Sequence, residues 1–354
     1  MTHKRTRIAS LGALAALLSL LVLVAAGCGG GDDADASGNN AETSADSGNE
    51  GGTLALVAYS TPREAYEEII PAFQETDAGQ GWEFEQSYAS SGEQSRAVEA
   101  GLPADVVAFS LEPDITRLVD AGLVDADWNQ NEYDGFLTQS VVVFAVRPGN
   151  PKNIQTWDDL LQEGLEVITP NPFTSGGAQW NIMAAYGAQL EQGKTDEEAI
   201  QYLRDLFLNN VPVQDKSARE SLQTFAGGKG DVLLAYENEA IFAQQAGEEL
   251  EYVVPAETIL IENPIAVVNT SESAEAAQAF IDYLYTPEAQ AVFASKGYRP
   301  VVEGVETEFD SSGPAGLFTI EDVGGWPEVR KRFFDREESI FLDIENELGV
   351  PTDD

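Results

Sequence analysis

From residue 53 to about residue 300 the chain alternates short runs of β-branched and apolar residues with longer stretches in which apolar positions recur every three or four. The short runs predict strands at 54–59, 83–87, 106–110, 141–146, 166–169, 211–214, 232–236, 252–254 and 259–267. Helices are expected between them, among them an amphipathic one over 177–190, one over 274–285 with Ser273 as N-cap, and one over 287–296. Such alternation predicts an α/β fold with largely parallel sheets. A folded region of about 300 residues exceeds the usual single core, so two domains are expected. No internal repeat is evident. Beyond 300 a glycine-rich stretch leads to 327–348, where Val329, Phe333, Phe334, Ile340, Phe341, Leu342 and Ile344 fall partly at helical spacing. This predicts a pair of C-terminal helices packing on the body.

The N-terminus follows a different pattern. Lys4, Arg5 and Arg7 precede an apolar Leu/Ala/Val segment that ends in Val24-Ala25-Ala26-Gly27-Cys28. This reads as a secretory signal, and it resembles a lipoprotein signal in which Cys28 is lipidated and becomes the first residue. Residues 1–27 are then the signal peptide. Residues 28–52 carry almost no large apolar side chain and read as a flexible acidic and glycine-rich linker.

Composition removes several chemistries. The only cysteine is Cys28 and the only histidine is His3, which leaves with the signal. No intrachain disulfide, Ser-His-Asp triad, Cys-His pair or thiolate or histidine metal site can be built from what remains. Neither a calcium loop nor a Walker phosphate loop is present. With 61 acidic and 19 basic residues the net charge is −42, so nucleic acid and anionic lipid surfaces are unsuitable partners.

Chemistry concentrates where strands hand over to helices. Asn171-Pro172-Phe173-Thr174-Ser175-Gly176-Gly177 joins the 166–169 strand to the following helix, with Ser175 at the N-cap and two glycines exposing the backbone. First-turn N–H groups have no partner within a helix, and the dipole there favours an anion. Ser-Gly-Gly before a helix is, taken alone, also a common turn and cap. Three further junctions carry capping boxes: Thr61-Pro62-Arg63-Glu64, Ser91-Gly92-Glu93-Gln94 and Ser217-Ala218-Arg219-Glu220. In open parallel sheets such helix starts share the carboxyl edge, where ligands bind. Four at equivalent places predict one site.

Several motifs in order, over roughly 54–300, resemble the sulfate-binding proteins of ATP-driven importers, two-domain extracytoplasmic solute receptors. They are Val167-Ile168-Thr169-Pro170-Asn171-Pro172 through Thr174-Ser175-Gly176-Gly177-Ala178 and Trp180-Asn181; Gln94 with Arg96-Ala97-Val98; Ala104-Asp105-Val106-Val107; Asp231-Val232-Leu233-Leu234-Ala235-Tyr236-Glu237-Asn238-Glu239-Ala240; and Leu284-Tyr285 with Pro287-Glu288. The resemblance implies a type II periplasmic-binding-protein-like fold, two α/β domains joined by two crossovers, with the ligand in the cleft. Domain 1 would comprise 53–138 plus 265–354 and domain 2 would comprise 139–264, the chain crossing near 138–140 and 262–264. By position, the ligand-binding residues would be Ser60, Ser91, Ser175, Gly176, Gly177, Ala218 and Tyr236. Ser60 replaces a family aspartate that donates through its backbone, and Tyr236 stands where the family uses a tryptophan indole. Arg63, Arg96 and Arg219 would sit behind the site, bonding carbonyls of the peptides that face the anion.

The resemblance further implies a monomer that captures sulfate or thiosulfate outside the cytoplasmic membrane, anchored there through lipid on Cys28, periplasmic where an outer membrane exists. It would deliver the anion to an ABC permease and its ATPase subunits, with no cofactor, no metal and no catalysis. Alternatives from the residues themselves are a receptor for molybdate or tungstate, a ferric receptor using Tyr59, Tyr236 and nearby carboxylates, and a surface hydrolase. For the last, Glu237 and Glu239 would share one face at a strand end, or else one packs or caps while the other is solvated.

Overall fold

The computed structural model describes residues 51–352; the signal peptide, Cys28 and nearly all of the linker lie outside the described residues. Eleven strands form the sheet system: β1 (Gly52–Tyr59), β2 (Trp82–Ala89), β3 (Val106–Ala108), β4 (Phe136–Val146), β5 (Val167–Pro170), β6 (Val213–Asp215), β7 (Val232–Tyr236), β8 (Glu251–Val253), β9 (Glu257–Val267), β10 (Arg299–Pro300) and β11 (Gly316–Phe318). The main path runs β2-β1-β3-β9-β4-β7-β5-β6.

The expected parallel sheets are only half the picture. β1 pairs in parallel with β2 and β3, and β5 with β6 and β7. β4 and β9 run against these groups. Each is 11 residues long; β9 pairs antiparallel with β3 through 265–267 and with β4 through 260–264, and β4 goes on to pair antiparallel with β7. Two long strands therefore tie the two parallel groups together. In that ladder Thr138, Gln139 and Ser140 face Asn263, Glu262 and Ile261, with a register shift between Phe136 and Thr138.

Helices cover both faces of each group. They are α1 (Arg63–Gln74), α2 (Ser91–Glu99), α3 (Glu112–Asp120), α4 (Gly176–Glu191), α5 (Asp196–Asn210), α6 (Ala218–Ala226), α7 (Glu237–Gln245), α8 (Ala274–Leu284), α9 (Pro287–Ser295), α10 (Gly325–Val329) and α11 (Ile340–Leu348). Period-two alternation sorts the strand residues between layers. Leu54, Leu56 and Ala58 of β1 pack with Tyr66, Phe73, Phe280 and Phe293, whereas Val57 faces Val98, Phe109 and Leu118. Likewise Val142, Phe144 and Val146 of β4 face Trp157, Trp180 and Leu203, while Val141, Val143 and Ala145 face Leu222, Phe225 and Leu233.

One helical expectation changes. The α4 helix is not amphipathic: every residue from Gly176 to Gln189 is buried. It lies between β9, α5 and the C-terminal elements, so no face meets water. The C-terminal segment buries Trp326, Phe333, Phe334, Phe341 and Ile344 in the cluster that holds Phe144, Trp157 and Phe207. Trp326 meets Trp180 edge-on at 4.7 Å, and Phe341 meets Phe207 at 4.8 Å. Between α10 and α11 the chain makes a π-helical turn, Arg330–Phe334. No described helix is long and apolar enough to cross a membrane.

Candidate functional site

Six strand-to-helix junctions meet around one small cavity. Its wall is Tyr59, Ser60 and Thr61 after β1; Ser90 and Ser91 after β2; Ser110 after β3; Ser175, Gly176 and Gly177 after β5; Ser217 and Ala218 after β6; and Tyr236 at the end of β7. The space open to the centre of a water-sized sphere is about 10 Å³, room for roughly one very small body rather than a sugar or peptide. No carboxylate, ammonium or guanidinium is in this wall. All seven residues proposed from the sequence to bind ligand line it, but Arg63, Arg96 and Arg219 do not.

The capping chemistry differs from expectation. Of the four junctions read as caps, only Ser217 accepts a hydrogen bond from its own helix, from the Glu220 N–H at 3.2 Å. Glu220 returns a bond to the Lys216 N–H rather than to Ser217. The α1 cap is Pro62, and Thr61 instead shares a 2.9 Å hydrogen bond with the Tyr298 hydroxyl. The α2 cap is Ser90, whose hydroxyl donates to Glu93 at 3.2 Å. Ser175 caps α4 by position, yet its hydroxyl makes no capping bond. Helix starts away from the cavity, at Thr195, Thr286 and Ser339, do use their side chains as caps. Around the cavity the first-turn amides of α1, α2 and α4 have no such side-chain acceptor, as an anion site requires.

Ser110, absent from the sequence-based site, is its most tightly held residue. Its N–H donates to Ser91 Oγ at 2.9 Å, its carbonyl accepts from Trp180 Nε1 at 2.8 Å and Asn263 Nδ2 at 2.9 Å, and its hydroxyl lies 2.7 Å from that of Tyr236. The signal was present as a fifth strand ending at a helix start, but Leu111-Glu112-Pro113 carries no capping box. Ser91 is committed as well: its hydroxyl donates to Asp114 at 2.6 Å, leaving its backbone N–H for the cavity. Burial holds the Tyr236 phenol well above its usual range and pushes Tyr59 up to about 12. Both rings stay neutral, and the Ser110–Tyr236 pair can turn one hydroxyl hydrogen toward a guest.

The glycines are dictated by proximity. A Cβ on Gly176 would fall 2.6 Å from Leu111 Cδ2 and 2.8 Å from Ser110 Oγ, which the packing cannot absorb. A Cβ on Gly177 would meet Ser175 Oγ at 3.4 Å, Ala218 Cβ at 3.5 Å and Tyr236 Cε1 at 3.7 Å. Gly177 therefore faces three residues of the cavity wall, Ser175, Ala218 and Tyr236.

The arginines and glutamates lie outside the cavity wall. Arg63 lies over the Tyr88 ring at 4.8 Å. Arg219 forms a two-pronged ion pair with Glu64 at 2.7 and 3.0 Å, reaches Glu239 at 3.2 Å, and bonds one carbonyl, that of Thr61, at 3.3 Å. That carbonyl belongs to a peptide whose nitrogen is Pro62, which has no N–H to polarise. Arg96 lines a neighbouring chamber. Glu237 and Glu239 occupy the first turn of α7, not a strand end, and both are buried; Glu237 meets Arg299 at 2.8 Å and Glu239 meets Arg219. Neither carboxylate is free to act as a hydrolytic pair, and neither is solvated. The ferric reading fares no better. Tyr59 and Tyr236 do converge on the cavity, but no carboxylate joins them, and burial opposes the phenolate that a ferric ligand needs. Among the described residues no group of three or more His, Cys, Asp or Glu could hold a metal ion.

A family model described as bacterial extracellular solute-binding protein matches residues 54–299. A sulfate-binding protein of Synechococcus elongatus is 43% identical over 331 residues, covering 90% of this chain and 92% of that one. A thiosulfate-binding protein of Escherichia coli is 36% identical over 301 residues, covering 79% and 88%. Among solved structures, the sulfate-binding protein SubI from Mycobacterium tuberculosis superposes with a TM-score of 0.77 at 46% identity, covering 80% of this chain and 99% of that one.

Proposed function

Since the chain belongs to the bacterial extracellular solute-binding proteins, in their two-domain fold, we propose that it is the receptor that captures sulfate or thiosulfate for an ABC importer. The carrying observation is a cavity of one-anion size walled by six helix starts and six serines, with no charged side chain. Burying a bare dianion costs tens of kcal/mol in the idealised limit. Each charge-assisted hydrogen bond returns roughly 1.5–3 kcal/mol net, and about six or seven, with several helix dipoles, reach micromolar binding near −8 kcal/mol. The donors in this reading are the backbone amides of Ser60, Ser91, Gly176, Gly177 and Ala218, the Ser175 hydroxyl, and one hydroxyl of the Ser110–Tyr236 pair. A fully ionised anion needs only donors, whereas phosphate keeps a proton that is best met by a carboxylate acceptor, and the wall holds none.

In this reading 53–138 and the segment from 265 to about 300 form one lobe. The second lobe is 139–264, and the C-terminal helices belong with it because their aromatic residues fill its core. The receptor is a monomer tethered by lipid on Cys28 and the 28–52 linker, and the lobes close on the anion to present a changed surface to the permease. Calorimetric titration of residues 52–354 with sulfate, thiosulfate, molybdate, phosphate and ferric citrate tests the assignment. Sulfate or thiosulfate should bind at micromolar level or tighter, and phosphate and ferric citrate should give no heat. Absence of heat with every tetrahedral oxyanion would overturn it.

A further inference from the structure

The loop that brings Ser175, Gly176 and Gly177 to the cavity enters a helix whose start has no side-chain cap. Two adjacent glycines leave such a turn easy to distort, so its geometry depends on what holds residues 171–174. Within the loop, the Phe173 N–H donates to Asn171 Oδ1 at 2.8 Å and the Ser175 N–H to the Asn171 carbonyl at 2.9 Å. On one flank the Asn171 N–H reaches the Asp215 carbonyl at 2.8 Å, and Thr174 Oγ1 donates to the Lys216 carbonyl at 2.8 Å. The other flank is held from a segment 180 positions away: Asn171 Nδ2 donates to the Pro351 carbonyl at 2.9 Å. Arg336 ties the same two segments together. Its Nη2 donates to the Phe173 carbonyl at 2.7 Å and its Nη1 to the Thr352 carbonyl at 2.8 Å, with the guanidinium 5.7 Å from the centre of the Phe173 ring. Arg336 itself stands on a firm base. Asp335 Oδ1 accepts from the Glu337 and Glu338 N–H groups at 2.8 and 3.1 Å, Ser339 caps α11, and Phe341 of α11 packs on Phe207.

We propose that Arg336 and the C-terminal strip 351–352 are positioning elements for anion binding: they clamp Asn171 and Phe173 so that the donors of Ser175, Gly176 and Gly177 stand in place before the anion arrives. The inference rests on the anion-receptor reading above. None of the three clamping residues belongs to the cavity wall, so they act through the loop and not on the anion. What they supply is preorganisation. A loop that must be ordered on binding draws on the interaction energy, and a site whose competent form is only part of the population binds more weakly by that fraction. Hydrogen bonds from a guanidinium are of the stronger kind, and two of the three bonds that join strip, Arg336 and loop are of that kind.

The test compares the native full chain with two variants, Arg336→Ala and a chain ending at Val350, by calorimetric titration with sulfate. Both should bind roughly tenfold more weakly, as expected if the competent loop falls to about a tenth of the population. Charge alone predicts opposite signs for the two, because the substitution removes a cation whereas the truncation removes Asp353 and Asp354. A merely structural role predicts no change in either, since a protein that is less stable but still folded keeps its affinity; urea unfolding checks that both variants are folded under the conditions of the titration. Amide hydrogen exchange in the absence of sulfate reads the loop directly. The Phe173 and Ser175 amides, both bonded to Asn171, should exchange faster in the two variants, while amides of β7 keep their native rates. Native affinity in either folded variant overturns the proposal, and so does unchanged exchange at Phe173 and Ser175. Native protein that binds no sulfate at all defeats the receptor reading instead, and the exchange measurement still judges the clamp.

Discussion

Gly176 and Gly177 adjoin in sequence and answer to different constraints. Gly176 is required by packing, since a methyl there would press into Ser110 and Leu111 at 2.6–2.9 Å. Gly176→Ala should therefore cost about 1–3 kcal/mol of stability in urea unfolding. Gly177 has ordinary contact distances on every side, so Gly177→Ala should fold normally, but its methyl takes the space an anion needs. Calorimetry should find sulfate affinity reduced about 100-fold or more, equivalent to roughly 3 kcal/mol. Ser175→Ala removes one hydroxyl donor and should cost about 1.5–3 kcal/mol of binding. At this scale the site was legible where glycine and serine crowd a junction, as at 175–177. It was not legible at Ser110, whose importance lies in four hydrogen bonds to residues distant in sequence, none of which leaves a local pattern.

Elements reveal a second limit of pattern. The strand at 232–236 was marked in full because β-branched and apolar residues fill it. The capping boxes at Thr61 and Ser91 did not form because tertiary partners, Tyr298 for Thr61 and Asp114 for Ser91, outbid the local bond. Helix α11 shows the same priority of tertiary context. Glu345 is fully buried there, bonded to Gln214 at 2.9 Å, and burial pushes its carboxyl up to about 7 against the opposing effect of that bond. A raised carboxyl destabilises the folded state once the unfolded chain ionises. The cost is absent below about pH 4, grows through the interval, and is complete above about pH 7. Glu345→Gln should accordingly stabilise the protein by on the order of 3 kcal/mol at about pH 8 and leave it nearly unchanged at about pH 4. Denaturant titrations at the two pH values measure the difference.

For the whole molecule, alternating strand and helix patterns announced an α/β fold with largely parallel sheets, yet they gave no direction for β4 and β9. Hydrophobic runs do not record strand direction, and both strands are buried for most of their length. Their antiparallel pairing at Thr138–Asn263 and Ser140–Ile261 emerges only from topology. The packing of Phe333, Phe334 and Phe341 against Phe207 was equally invisible, since helical spacing says that a face is buried but not against what. One property of the cavity bears on the environment in which the protein works. Every side chain in its wall is a serine, threonine, alanine, glycine or neutral tyrosine, and burial displaces both phenols upward. Nothing in this wall exchanges a proton between about pH 5 and about pH 9. Sulfate affinity measured across that interval should be a flat line, so this receptor would load equally well in acidified and in alkaline surroundings.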